Sequence, residues 1–353
     1  STSSNGVFGS IHLGAAMTLT SASTLTATNG YIDAYGPIDS NTNNTNALIL
    51  NGTHINLLGA IGSTTTPASV SLTANTISGS ATWLSDTIGA NITAGNTISV
   101  TGLVTLLENA TFTAGGNISF SHTIDASNYP GTRSLTVNSG GTVTFNGVIG
   151  GSAFATLAAL TVTGTSGIVL NTTAVTTTGA QSYTGPFSFP VLALNTLTAG
   201  TDITINGTIT GFGVNSDLWL VGSNTGQPHV LTVTGALSNV HTLLFNPTGT
   251  ANTVVLGMST AKTFFFTSTP GTAAVTMTGA TNVTIQNAQN VTGGAGDDTF
   301  TFSGNGQGVT GILNGGPGGV NTLNLSGYTN GVSITITGSD AFGSSGTTSG
   351  TPP

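Results

Sequence analysis

The stretch GGAGDDTF, at residues 293–300, holds the arrangement of residue types in this chain that is most typical of a ligand site. Two adjacent carboxylates, Asp297 and Asp298, follow glycines that let the backbone turn tightly. A second glycine-rich turn, GGPGGVNTL at 315–323, carries Asn321 where an aspartate would correspond. Calcium takes six to eight oxygen ligands from carboxylates, amides and carbonyls. Asp297, Asp298 and Asn321 are therefore the candidate ligands of one weak calcium site, and the sequence indicates no other cofactor.

The first of these turns resembles one repeat of the glycine-rich nonapeptide G-G-x-G-x-D-x-U-x, which binds calcium in RTX proteins. In that arrangement, facing turns of successive repeats supply the ligands. Here at most two carboxylates would serve the ion, and the second turn departs from the pattern. The alternative interpretation is an ordinary glycine turn with a surface pair of aspartates. The sequence favours this alternative and excludes an RTX array.

The other residues that could do chemistry form no known motif. No G-x-S-x-G, H-E-x-x-H or phosphate-loop pattern is present. Glycoside hydrolysis normally needs two carboxylates beside the bond, and the only other close acidic pair in sequence is Asp33 with Asp39. We therefore expect no enzyme activity, with a polysaccharide-active enzyme as an alternative if folding gathers acids on one face. The histidines are scattered without metal-ligand spacing, at His12, His54, His122, His229 and His241.

Charge is nearly absent from the chain. Arg133 and Lys262 are its only cationic side chains, and charged residues make up 3% of the sequence, against about 25% in ordinary domains. Two cations cannot neutralise a row of phosphates, so nucleic-acid binding is excluded. No apolar run reaches the ~18–20 residues of a membrane span, so we expect no membrane insertion. The absence of cysteine is compatible with export, and composition favours an extracellular or cell-surface location.

A repeat of roughly 20–25 residues organises the chain. Its copies combine two short stretches of alternating apolar and polar residues with Gly/Asn turns, as in LTANTISG from Leu72, ITAGNTISV from Ile92 and FTAGGNISF from Phe112. Alternation of period two predicts strands. A unit of this length is about one coil of a parallel β-helix, in which each coil packs on its neighbours. A sandwich would show a shorter strand spacing, and a propeller blade a longer repeat.

The predicted fold is therefore all-β, a parallel β-helix (a solenoid) of about 16 coils. Thr and Ser are expected to face outward. Asparagines at the coil corners, such as Asn91, Asn117 and Asn290, are permitted glycosylation sequons or members of side-chain amide ladders between coils. The predicted inward-facing stack consists of Leu25, Leu48, Leu72, Ile92, Phe112 and Leu135.

The boundaries of the repeat are gradual. We expect an N-terminal segment at 1–15 and the β-helix at 16–340. Within it, the repeat is looser at 213–270, and glycine-rich coils lie at 293–336. Residues 341–353, rich in Ser, Gly, Thr and Pro, read as a linker.

Several units, among them LTVNSGGTVTFNGVIGG at 135–151 and LNTLTAGTDITINGTITG at 194–211, resemble the passenger repeats of filamentous-haemagglutinin-type exoproteins and autotransporter adhesins of bacteria. The resemblance covers roughly 16–336 and concerns the style of the repeat. It implies a right-handed β-helix, export to the cell surface, and an adhesive or stalk function. The two-partner secretion domain and the membrane barrel of those families are not found in this sequence.

Together these observations predict a secreted or cell-surface, rod-like structural or adhesive protein without catalysis. Its partner would be a host cell, a neighbouring cell or a polysaccharide. The first alternative is a subunit of a self-assembling extracellular filament, a homopolymer of stacked coils. A solenoid exposes unpaired strand edges at its ends, and low charge removes the repulsion between them.

Overall fold

A computed structural model of the chain describes residues 9–28, 30–78, 91–127, 131–151, 156–189, 194–212, 216–267, 270–277, 280–331, 333–340 and 343–349. The regular elements in these ranges are β-strands. No helix in the described ranges is long and apolar enough to cross a membrane. The chain divides into two compact units, Ser1–Ser188 and Phe189–Pro353.

The first unit is built from short strands, because turns of Gly, Asn and Ser interrupt each run of alternating residues. Its strands are β1 (Ile11–Leu13), β2 (Met17–Leu19), β3 (Ser23–Thr26), β4 (Tyr31–Ala34), β5 (Ile38–Ser40), β6 (Leu48–Asn51), β7 (His54–Leu57), β8 (Ser69–Ser78), β9 (Ile92–Ala94), β10 (Thr97–Leu106), β11 (Ala110–Ala114), β12 (Ile118–Phe120), β13 (Ile124–Ala126), β14 (Ser134–Ser139), β15 (Thr142–Phe145), β16 (Ala159–Gly164), β17 (Gly167–Leu170), β18 (Ala174–Thr177), β19 (Gln181–Thr184) and β20 (Phe187–Phe189).

These strands stack in parallel sheets, one strand per coil. One face runs in the order β1, β4, β7, β8, β10, β12, β15, β17, β20, and a second face runs β9, β11, β14, β16, β19. Shorter pairs, β2 with β5 and β3 with β6, complete the first coils. Register partners on successive coils of this unit lie from 19 residues apart, at Ile168 and Phe187, to 31 residues apart, at Ile61 and Ile92. The predicted parallel β-helix is therefore confirmed.

The second unit continues the same type of coil with one irregular insertion. Its strands are β21 (Leu194–Ala199), β22 (Ile203–Asn206), β23 (Ile209–Gly211), β24 (Asp217–Gly222), β25 (Val230–Val233), β26 (Leu237–Ser238), β27 (Val240–Pro247), β28 (Thr253–Leu256), β29 (Lys262–Phe266), β30 (Ala273–Thr276), β31 (Ala280–Ile285), β32 (Asn290–Thr292), β33 (Asp298–Phe302), β34 (Leu313–Asn314), β35 (Thr322–Asn324), β36 (Ser333–Asp340) and β37 (Gly343–Ser349).

The insertion begins in the segment 213–270, where the repeat is loose, and extends beyond it to the end of β31. Strand β30 pairs antiparallel with both β29 and β31, whereas β29 also pairs in parallel with β33. Neighbours across the insertion are up to 41 residues apart in sequence. The solenoid has about 12 turns, fewer than the ~16 predicted from a constant repeat length. The number is lower because such long coils use more residues per turn.

The core follows the predicted alternation. In β10, inward residues such as Ile98 and Val100 are buried, while their neighbours are partly exposed. Stacking places like residues on like: Phe264 lies on Phe300 with ring centroids 4.6 Å apart and planes 13° apart. Each large apolar side chain buried in this way contributes about 1.5–3 kcal/mol. Of the predicted inward residues, Leu25 is partly exposed, and the buried ones are Leu48, Leu72, Ile92, Phe112 and Leu135.

The ends differ from the expected boundaries. Strand β1 already pairs with β4, so the first coil begins inside the segment 1–15. At the other end, β37 pairs antiparallel with β36, so most of the segment read as a linker is a strand of a hairpin.

Candidate functional site

The predicted calcium site contains a buried ion pair. Asp298 begins β33 and Lys262 begins β29, and these positions are register partners. The Lys262 Nζ atom lies 3.1 Å from Asp298 Oδ1, and both side chains are 0% exposed. The ammonium also donates to the carbonyl oxygens of Met258 and Thr260, at 3.1 and 2.8 Å. The chain's single lysine thus neutralises Asp298.

Asp298 has no oxygen left without a donor. Oδ1 accepts from the backbone N–H of Lys262 at 3.0 Å, and Oδ2 accepts from the N–H of Gly294 at 2.8 Å. A buried carboxylate satisfied by backbone donors and a lysine is a structural group. A calcium ion at this carboxylate would have to displace the ammonium of Lys262, or bind beside it against electrostatic repulsion.

Asp297 and Asn321 connect this turn to the next coil. Asp297 Oδ1 accepts from the N–H of Val320 at 2.6 Å, and Asn321 Oδ1 accepts from the N–H of Asp298 at 3.0 Å. The two turns do meet, as the sequence predicted. Their oxygens, however, accept backbone protons, and within the described ranges no group of three or more His, Asp or Glu could hold a metal ion.

Carboxylates elsewhere also join neighbouring coils. Asp39 Oδ1 accepts from the N–H of Thr64, and Asp125 and Asp202 accept in the same way one coil onward. Burial alone would raise the pKa of Asp39, but hydrogen bonds from Thr64, Thr65 and Ser63 hold that pKa below its ordinary value. Glu108 lies 3.6 Å from Arg133.

Asparagines at the coil corners also accept hydrogen bonds from the neighbouring coil, and they carry no charge. Asn91, Asn109 and Asn117 each place Oδ1 2.8–3.0 Å from a backbone N–H of the following coil. One step of a side-chain amide ladder is also present, from Asn171 Nδ2 to Asn146 Oδ1 at 2.7 Å. The corners have few backbone partners, so these side chains satisfy donors that would otherwise be unpaired.

A cluster of aromatic, imidazole and acidic side chains lies on the outer face of β1, β4 and β7. Tyr31 pairs with His54 in register, and their rings stack with centroids 4.8 Å apart. Two residues along, His12 Nδ1 lies 2.7 Å from Asp33 Oδ2, and Asn56 Nδ2 donates to Asp33 Oδ1 at 2.5 Å. Elsewhere the outward positions of these sheets are mostly Thr and Ser.

An open cavity of about 390 Å³ adjoins this cluster. Its lining includes Thr73, Thr101, Gly102, Leu103 and His122. Gly102 has φ +145°, at the point where the register between β8 and β10 shifts. A Cβ atom there would collide with the carbonyl oxygen of Ala74, so glycine is required for this bend and for the cavity beside it.

A third imidazole–carboxylate contact lies in the second unit. His241 Nδ1 is 2.7 Å from Asp217 Oδ1 and 3.2 Å from Thr242 Oγ1. A nucleophile activated by histidine must contact the nitrogen opposite the one held by the acid. Because the hydroxyl and the carboxylate share one nitrogen, this group is not arranged as a catalytic triad.

The remaining histidine and acidic residues considered in the sequence analysis do not form a common site within the described ranges. His229 is buried, and its ring nitrogens lie 2.7 Å from Thr201 O and 2.9 Å from Asn224 O, which makes it a structural link. Asp33 and Asp39 make separate sets of contacts. Asp86 lies outside the described residues, and so does the side chain of Asp340.

Sequence reasoning missed both the Lys262–Asp298 pair and the outer cluster. In each, the partners come from different coils, and their register depends on the length of every intervening loop. A usable signal was the recurrence of Tyr31, Asp33, His54 and Asn56 at the same position of successive repeats.

Comparison with known proteins gave no relatives: no protein-family model, curated protein or solved structure matches the chain.

Proposed function

We propose that the chain is a secreted or cell-surface β-solenoid with a structural and adhesive function and without catalysis. Stacked coils provide an extended surface, and contact with another cell or a polysaccharide would occur through their outward faces. The observation that carries this proposal is that the described carboxylates contact donors or cations of other coils.

Each of the eight acids whose side chains are described contacts a donor or cation from another coil. A general acid or base must approach the substrate with a proton-transfer atom available. Carboxylates that hold coils together are instead committed to backbone donors, to Arg133 or Lys262, or to histidines. This supports a scaffold over a hydrolase. The eight are Asp33, Asp39, Glu108, Asp125, Asp202, Asp217, Asp297 and Asp298.

Adhesion can be tested with fluorescent beads coated with the purified chain. We expect the beads to bind to cells or to polysaccharide-coated surfaces, and beads coated with heat-unfolded chain not to bind. A parallel assay would measure release of reducing ends from soluble polysaccharides. Absence of adhesion to every surface would contradict the adhesive function, and reducing-end release above background would contradict the absence of catalysis.

The second candidate function is a filament subunit, and the last coil of the second unit favours it. Ile312, Val320 and Leu323 are large apolar residues beside β34 and β35, and Val320 is 78% exposed. Within the described residues, β34 and β35 each have a partner on one side only. Open parallel edges with exposed apolar residues can accept a further coil from another molecule.

Negative-stain electron microscopy distinguishes the two candidates. Filaments that disappear in Val320→Lys, with Thr225→Lys as a control that adds the same charge at another exposed position of the second unit, would make assembly the function. Filaments lost on adding a chelator would support the calcium prediction. Separate particles in every condition would exclude the filament and leave the adhesive solenoid.

A further inference from the structure

The outer face of the first unit concentrates side chains that are rare in this chain. Aromatic residues make up 6% of the sequence, and it has five tyrosines and five histidines. Two of these tyrosines, Tyr31 and Tyr35, are exposed, and His12 and His54 lie on β1 and β7, the strands on either side of β4, which carries Tyr31. A structural role does not require this concentration, because Thr and Ser serve the outward positions of the other coils.

Backbone register connects the cluster to the cavity. Tyr31 is the register partner of His54, which in turn is the partner of position 76. Position 76 is the partner of Leu103, and Leu103 lines the cavity. Three coil steps of about 4.8 Å give a row about 14 Å long. We call this row, with the cavity and His122, the outer groove. Its cavity volume falls within the ~300–1,000 Å³ typical of ligand pockets.

The groups along the outer groove are those that recognise sugars. Exposed tyrosine rings offer an apolar face with a polar edge, on which the C–H face of a pyranose ring can lie. Asn56 and the exposed imidazole of His12 provide acceptors and donors for ring hydroxyls. Asp33 contacts both of these side chains, Asn56 through Oδ1 and His12 through Oδ2, and so fixes their orientation.

The charge of the chain favours an uncharged polymer over an anionic one as the ligand of the outer groove. The two cations of the chain are engaged elsewhere, Arg133 with Glu108 and Lys262 with Asp298, and the net charge is -8. An anionic polymer would meet the carboxylate of Asp33 without a compensating lysine or arginine. An uncharged polymer has no such penalty.

We propose that the outer groove binds a neutral, extended glycan, with Tyr31 and His54 as the stacking platform and His12 and Asn56 as hydroxyl partners. The inference rests on the proposed adhesive function and names its ligand class. The sugar chain lies along the stacking direction of the coils, so that successive rings meet successive coils.

A printed glycan array, probed with the full chain on fluorescent beads, tests this inference. We expect binding to neutral oligosaccharides. Tyr31→Ala should weaken it about tenfold, as expected for loss of one aromatic contact, and Tyr31→Phe should largely retain it. Phe212→Ala removes another exposed ring, from the second unit, and should leave binding unchanged. Circular dichroism of each variant checks that the fold is kept.

Three results would overturn the inference: no neutral oligosaccharide bound above background, binding confined to acidic glycans, or equal losses in Tyr31→Ala and Phe212→Ala. Should Tyr31→Ala unfold, Leu103→Asp tests the same groove from its other end and should also weaken binding. Beads that adhere to cells but bind no glycan on the array would refute this ligand class while leaving the adhesive function intact.

Discussion

Replacing Lys262 by methionine should destabilise the second unit more than any other single change of charge. Methionine fills a similar volume but removes the ammonium, 3.1 Å from Asp298 Oδ1 in a pair that is 0% exposed. The carboxylate then keeps only the backbone donors of Lys262 and Gly294. Breaking a buried pair by removing one partner costs about 3–5 kcal/mol, and we expect a loss of this size in the free energy of unfolding.

The chain provides its own control for this change. Arg133→Met removes the only other cation, whose contact with Glu108 is 3.6 Å long and partly exposed. Exposed pairs contribute about 0–1 kcal/mol. Adding Asp298→Asn to Lys262→Met should recover part of the loss, because the unpaired charge is then gone.

Urea unfolding followed by tryptophan fluorescence measures these differences. The chain has two tryptophans, so a Trp83→Phe background leaves Trp219 to report the second unit for Lys262→Met, and a Trp219→Phe background leaves Trp83 to report the first unit for Arg133→Met. Equal losses for Lys262→Met and Arg133→Met would refute the assignment of a structural ion pair. Calcium should stabilise Lys262→Met more than the parent chain if Asp297, Asp298 and Asn321 bind this ion once the ammonium is removed.

Three further predictions concern the stacking of coils. Phe264→Ala removes a buried, stacked ring and should cost about 3–5 kcal/mol in unfolding experiments; a loss below that of an exposed Phe265→Ala would contradict it. Asn117→Ala removes the acceptor of the Thr142 N–H at an exposed corner and should cost about 0.5–1.5 kcal/mol, whereas Asn117→Asp, which keeps the acceptor, should cost less. Because the pKa of Asp39 is lowered by folding, its contribution to stability is present above the unfolded pKa and disappears as pH falls through the folded pKa. The stability of Asp39→Asn should therefore depend less on pH in that acidic range, and an unchanged acid profile would contradict this reasoning.

Local patterning was sufficient to predict the coils. Alternation in segments such as those at Leu72 and Ile92 fixes which side chains point inward, since a strand has a side-chain period of two. Recurrence at roughly 20–25 residues then makes neighbours of equivalent positions. The same reasoning identified corner asparagines such as Asn117 as structural, and the structure shows what they bind.

Pairings across a variable loop needed the tertiary structure. Lys262 and Asp298 are 36 residues apart, because the antiparallel insertion separates them, and no constant repeat length brings them together. A weak calcium site was therefore predicted at a carboxylate that already has an ammonium beside it. The outer groove depends in the same way on the shift of register at Gly102. Sequence determined the direction of each side chain along its own strand, and only the folded chain decided which coils meet, because the register between coils is set by the sum of all intervening loop lengths.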